Sequence, residues 1–229
     1  MPVGGSPLGL AGDGWIAVIL VVGAIGLAWG FASDRLAARW PAHEDGVVRR
    51  IDWRTPLVTV LGGVAFAATV ARFGGDARAL LIVGVYVAAL VVLFATDLDQ
   101  RLLPDVITLP LVALAAIVTV AGASPFIRTN EDALWALAAS LVVPLALAIL
   151  ARPFGAGAIG QGDLKLLVSV GLLTGATNLF YGLVAGAVLA GVVVAILLLI
   201  RRISMKSFIP YGPFLILGIL WAILALPQT

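Results

Sequence analysis

Long apolar runs separated by short charged connections dominate the pattern of this chain. Charge-free stretches cover 14–33, 56–71, 79–96, 106–123, 133–151 and 207–226, each long enough, or nearly so, to cross the roughly 30 Å of membrane hydrocarbon as a helix. Between Lys165 and Arg201 lie 35 uncharged residues. As one helix rising about 1.5 Å per residue they would exceed about 50 Å, so that stretch must break. Gly175-Ala176-Thr177-Asn178 is the natural place, since Gly and Asn tolerate a helix-ending turn and Thr177 or Asn178 can cap the next helix. The pattern predicts an all-α, polytopic integral membrane protein of about eight transmembrane helices, the sixth of them short and near 163–175.

Composition sharpens the picture. Of 229 residues 62% are hydrophobic and 11% charged, and the mean hydropathy is +1.15, so one membrane domain, 1–229, fills the chain and leaves no room for a large soluble one. The chain has no cysteine and one histidine, which excludes a disulfide scaffold and Cys-ligated metals and nearly excludes a His-built metal site. The net charge of +2 does not point to nucleic acid, because the basic residues sit at helix ends rather than in a stripe.

Those basic residues set the expected orientation. With the N-terminus outside, Arg35, Arg39, Arg49, Arg50, Arg54, Arg101, Arg152, Lys165, Arg201, Arg202 and Lys206 fall inside, and only Arg72, Arg78 and Arg128 outside, as the positive-inside rule prefers. The first segment lacks a basic leader and a small-residue cleavage site and reads as a retained helix. The longest connection, 34–55, then faces the cytoplasm; it lacks periodicity and is too short to be a domain.

Carboxylates near the membrane are the informative residues, because each costs a few kcal/mol there unless it has a partner or a function. Asp13, Glu44, Asp45, Asp76, Glu131 and Asp132 lie in short connections and read as solvated. Two clusters stand apart. In Asp97-Leu98-Asp99-Gln100-Arg101-Leu102-Leu103-Pro104-Asp105, Asp97 ends an apolar run with no polar spacer, Asp99 reads as a solvated turn residue, and Asp105, after Pro104, reads as a helix cap. In Gly155-Ala156-Gly157-Ala158-Ile159-Gly160-Gln161-Gly162-Asp163-Leu164-Lys165 the glycines permit close backbone approach, and an Asp stands where a phosphate loop would carry Lys-Ser/Thr. This second cluster is either a flexible loop with a capping Asp163 or non-helical backbone lining a wet cavity. Both clusters fall on the cytoplasmic side by the charge count. Two carboxylates sharing one water cannot readily both ionise, so one can serve as base and the other as acid in peptide hydrolysis without metal or thiol.

At these residues the sequence resembles the type IV prepilin peptidase family, membrane aspartyl proteases of the GxGD class. The matching segments are Asp97 through Pro110, Gly160-Gln161-Gly162-Asp163-Leu164-Lys165-Leu166, and Ile209-Pro210-Tyr211-Gly212-Pro213-Phe214. The resemblance covers roughly 79–226, the expected peptidase core, and implies Asp97 and Asp163 as the catalytic pair, supported by Gly160, Gly162, Lys165, Pro104 and Asp105, with no metal and no cofactor. The function it implies is removal of leader peptides from type IV prepilin or pseudopilin precursors at the cytoplasmic face of the inner membrane, among membrane lipids and without nucleic acid. Many members carry paired cysteines after the first helix, associated with zinc and with methylation of the new N-terminus. The 34–55 loop has no Cys, so methyl transfer is not carried over.

Two other readings compete. A proton-coupled transporter would use Asp97 and Asp163 as a relay, but predicts carboxylates near the bilayer midplane and inverted repeats. A non-enzymatic scaffold would use its aspartates only as helix caps. Lys165 reads as snorkelling to the lipid headgroups, His43 as solvated, and Trp15, Trp40, Trp53, Trp135 and Trp221 as interfacial anchors.

Overall fold

A computed structural model describes residues 12–41, 46–155, 159–202 and 211–226; His43, Gly157, Ile209 and Pro210 lie outside them. Among the described residues every regular element is a helix, with no strand. The chain forms two compact units, Met1–Gln100 and Arg101–Thr229.

The first unit holds α1 (Gly12–Ala37), α2 (Arg54–Phe73) and α3 (Ala77–Gln100), each long and apolar enough to cross a membrane. Gly26 and Gly30 of α1 lie backbone to backbone against Gly62 and Val58 of α2, the close approach that small residues allow between helices in lipid, where packing and not the hydrophobic effect holds helices together. α3 is the most enclosed of the three. Val83, Tyr86, Val87, Leu90, Val91, Leu93 and Phe94 are all buried, and this continuous run ends on Asp97. Outward-facing positions are large and apolar, Leu81 being 69% exposed, as a lipid-facing surface requires.

The second unit holds α4 (Asp105–Val120), α5 (Asn130–Ala151), α6 (Gln161–Leu199) and α7 (Gly212–Ala225). Among these α5 and α6 meet the length of a span, while α4 and α7 are shorter. α5 starts with a capping box: Thr129 Oγ1 accepts from the Asp132 amide and Asp132 Oδ2 from the Thr129 amide, both at 3.0 Å.

The expected break falls within α6. The stretch Gln161–Leu199 is 39 residues long and leaves helical geometry at Gly175, with φ 82° and ψ 172°, a conformation almost confined to glycine. The break frees carbonyls of the preceding turn, and neighbouring side chains take them up. Thr119 Oγ1 donates to Leu172 O and Ser124 Oγ to Leu173 O, each at 2.6 Å, and Asn178 Nδ2 donates to Thr174 O at 3.1 Å. Asn178 therefore closes the first arm rather than capping the second. The interrupted backbone lines a cavity of about 290 Å³ with Thr174, Thr177, Asn178 and Asp132. The two helices expected on either side of 175 are the two arms of α6.

Candidate active site

Asp163 is the third residue of α6, whose N-cap is Gly160 with an extended backbone (φ −65°, ψ 138°). Gly160 has no side chain with which to cap the helix, and the Asp163 carboxylate reaches back instead to accept a hydrogen bond from the Gly160 backbone, one half of a capping box. Its Oδ2 lies on the Gly160 side. The other oxygen, Oδ1, is buried and has no hydrogen-bond partner among the described residues. A carboxylate oxygen left so is costly for the fold and is a feature of sites where chemistry supplies the missing partner.

The segment before α4 closes against this helix start. Gly162 lies against Leu103 so tightly that a Cβ there would stand 2.6 Å from Leu103 Cβ and 3.1 Å from Leu103 O. Pro104 is the N-cap of α4 without a side-chain bond, and Asp105 does not cap the helix as expected. It is the first helical residue, and its Oδ1 takes a 2.6 Å bond from Lys165 Nζ. Lys165, expected to snorkel, is thus paired with a carboxylate 60 residues away in the chain. Tyr211, immediately before α7, stands within electrostatic reach of Asp163 and donates its hydroxyl to Leu183 O at 3.3 Å. Within the second unit, then, Gly160, Gly162, Asp163, Lys165, Pro104 and Asp105 come together.

Asp97 belongs to the first unit, in the last turn of α3, and is 5% exposed. Its neighbour Asp99 departs from the sequence reading. Instead of a solvated turn residue it is a side chain only 2% exposed, with Arg49 Nε and Arg54 Nη1 both at 2.6 Å from Oδ1. Arg49 also bonds Asp34 through Nη2 and Asp52 through Nη1, and Asp34 accepts further from Thr55 Oγ1 at 2.7 Å and Arg35 Nη2 at 2.6 Å. Burial works against the Arg49 guanidinium, but the carboxylates of Asp34, Asp99 and Asp52 outweigh it and hold the group above its ordinary range. Within the 34–55 connection, expected to lack periodicity and to be too short for a domain, Arg49 and Asp52 are therefore tied to the ends of all three helices. Asp34 and its partners were missed in the sequence, although Asp34 ends the apolar run 14–33 as abruptly as Asp97 ends 79–96. Among the described residues no three His, Cys, Asp or Glu side chains group as metal ligands.

Comparison with known proteins identifies the family. A model of the type IV leader peptidase family matches residues 84–200, half of the chain and the stretch containing Asp97 and Asp163. The chain belongs to that family. Similar proteins named prepilin leader peptidase/N-methyltransferase occur in Burkholderia pseudomallei strain 1026b, 33% identical over 72% of this chain and 52% of the relative; in Aeromonas hydrophila, 32% identical over 79% and 56%; and in Pseudomonas putida, 30% identical over 76% and 60%. The chain spans about half the length of the curated relatives it matches. No solved structure matches it.

Proposed function

We propose that this chain is a membrane aspartyl endopeptidase that removes the leader from type IV prepilin-like precursors, with Asp97 and Asp163 as its two proton-transfer groups. The observation that carries the reading is Asp163: one carboxylate oxygen anchored on the Gly160 backbone, the other buried and without a hydrogen-bond partner among the described residues, inside the stretch the family model matches. Anchoring fixes the carboxylate's direction, and the unpartnered oxygen is left to bind a water or the scissile carbonyl.

In the proposed reaction one carboxylate takes a proton from water as its oxygen attacks the scissile carbonyl carbon. The other, protonated, gives its proton to the carbonyl oxygen. The resulting diol collapses as the first carboxyl returns its proton to the peptide nitrogen, which leaves as the amine, while the second carboxylate takes a proton back from the diol hydroxyl that becomes the new carbonyl. The scheme uses neither metal nor thiol. The excess of Lys and Arg in the connections containing Arg49, Arg101, Arg152 and Arg201 supports an N-terminus outside, eight crossings with each arm of α6 counted, and a site at the cytoplasmic face of the inner membrane. Substrates are prepilin or pseudopilin precursors, as the relatives' names suggest. Family membership gives no support to a proton-coupled transporter.

The test is to incubate the purified chain in lipid nanodiscs with a type IV prepilin precursor and S-adenosylmethionine, and to weigh the products. The expected result is one cut just before the precursor's hydrophobic helix, insensitive to chelator, leaving an N-terminus without added methyl mass. Cleavage unchanged in Asp163→Asn would overturn the reading.

A further inference from the structure

We propose that Arg49 is a positioning residue for Asp97, acting through Asp99; this rests on the reading of Asp97 as one of the two catalytic carboxylates. Helix ends fray unless something holds them, and α3 ends three residues beyond Asp97, where Arg101 takes a positive φ of 55°. The last turn of α3 is held at two points. Gln100 Nε2 donates to Ala37 O at 3.1 Å and Pro41 O at 2.8 Å, fixing the turn to the end of α1. Asp99 is enclosed by Arg49 and Arg54.

Arg49 is the hub of this arrangement. Its three nitrogens face three different carboxylates: Nη2 and Nη1 hydrogen-bond Asp34 on α1 and Asp52 ahead of α2, and Nε is ion-paired with Asp99 on α3 at 2.6 Å. The fork of a guanidinium makes such a three-way junction possible, and a Lys ammonium, a single point charge on a flexible stem, does not replace it. The cluster sets Asp34, Asp52 and Asp99 against Arg35, Arg49 and Arg54, so its charges balance. Removing Arg49 leaves the cluster one cation short, Asp34 keeping Arg35 and Asp99 keeping only Arg54, and the response open to Asp99 is to turn toward water, dragging the helix turn that carries Asp97. Small displacements of a reacting group are costly to rate, about a hundredfold for 1 Å. Arg35 offers a contrast. It pairs with Asp34 in the same cluster and makes no bond to α3.

The experiment compares kcat and KM for prepilin cleavage by the full chain carrying Arg49→Gln, Asp99→Asn, the double replacement, Arg49→Lys, Arg35→Gln and Asp97→Asn, each checked for folding by thermal denaturation. The expected result is a loss in kcat of about 10- to 100-fold for Arg49→Gln and Asp99→Asn with KM within about threefold. The double variant falls no further than the worse single one, because both cut the same link. Arg49→Lys recovers only part of the loss, and Arg35→Gln lowers stability with kcat unchanged. If Arg49→Gln does not fold, the nearly isosteric Asp99→Asn decides alone. Wild-type kcat in Asp99→Asn, a change confined to KM, or an equal kcat loss in Arg35→Gln overturns the proposal while an inactive Asp97→Asn leaves the peptidase reading standing. Normal cleavage by Asp97→Asn overturns both.

Discussion

Gly162 and Leu103 pack with no room for a side chain between them: a Cβ on residue 162 would stand 2.6 Å from Leu103 Cβ. The contact lies one residue before Asp163 and one before Pro104, so it sets how the start of α6 meets the start of α4. Gly162→Ala forces the two apart. Overpacking of this kind costs about 1–3 kcal/mol, and displacement of Asp163 lowers kcat about a hundredfold. Kinetics on the purified variant check this; a rate within twofold of the unaltered chain would show that the contact does not position Asp163.

The neighbouring ion pair behaves differently. Lys165 and Asp105 are bonded at 2.6 Å but are 31% and 59% exposed, and exposed pairs contribute only about 0.2–1 kcal/mol. Lys165→Ala and Asp105→Asn are expected to lower the melting temperature by a few degrees at most and kcat by less than about fivefold. A loss as deep as that of Asp163→Asn in either variant would place the pair in the chemistry itself.

These two contacts also mark how far the chain could be read without coordinates. The break at Gly175 was legible because 35 uncharged residues cannot form one span, and the GxGD segment was legible as a local motif. The fates of Asp99, Asp105 and Lys165 were not. Asp99 is neutralised by Arg49 and Arg54, 50 and 45 residues away in the chain, and Asp105 by Lys165, 60 residues away. Local reading assigns a charged residue to the nearest solvent or helix end, and nothing local in Arg49, inside a connection without periodicity, shows that it gathers three carboxylates. The hydroxyls of Thr119 and Ser124 were passed over for the same reason, since their acceptors lie 53 and 49 residues on.

Those hydroxyls furnish a stability prediction. Thr119→Val and Ser124→Ala each leave a carbonyl before the α6 break without its donor, at a cost of about 0.6–2 kcal/mol. Gly175→Ala forces a Cβ into a backbone conformation nearly reserved for glycine and costs about 1–3 kcal/mol. Unfolding of the variants in mixed micelles measures both. Unchanged stability in Gly175→Ala would contradict the broken-helix geometry.

The proposed orientation rests on the distribution of basic residues and can be tested with reporter fusions. Fusions near residue 100 and within 34–55 are expected to report the cytoplasm, and fusions near 75 and 127 the opposite side. A reporter near 100 found outside would remove Asp97 from the cytoplasmic face and with it the proposed cleavage geometry.

The central claim is that Asp97 and Asp163 act as one proton-transfer unit, and the most direct measurement is the cleavage rate of a prepilin precursor by Asp97→Asn, Asp163→Asn and the double variant, all in folded form. Groups that work on the same water fail together, so each single replacement is predicted to lower kcat at least about a thousandfold and the double one no further than the singles. Losses that multiply in the double variant, or substantial cleavage remaining in either single one, would contradict the account.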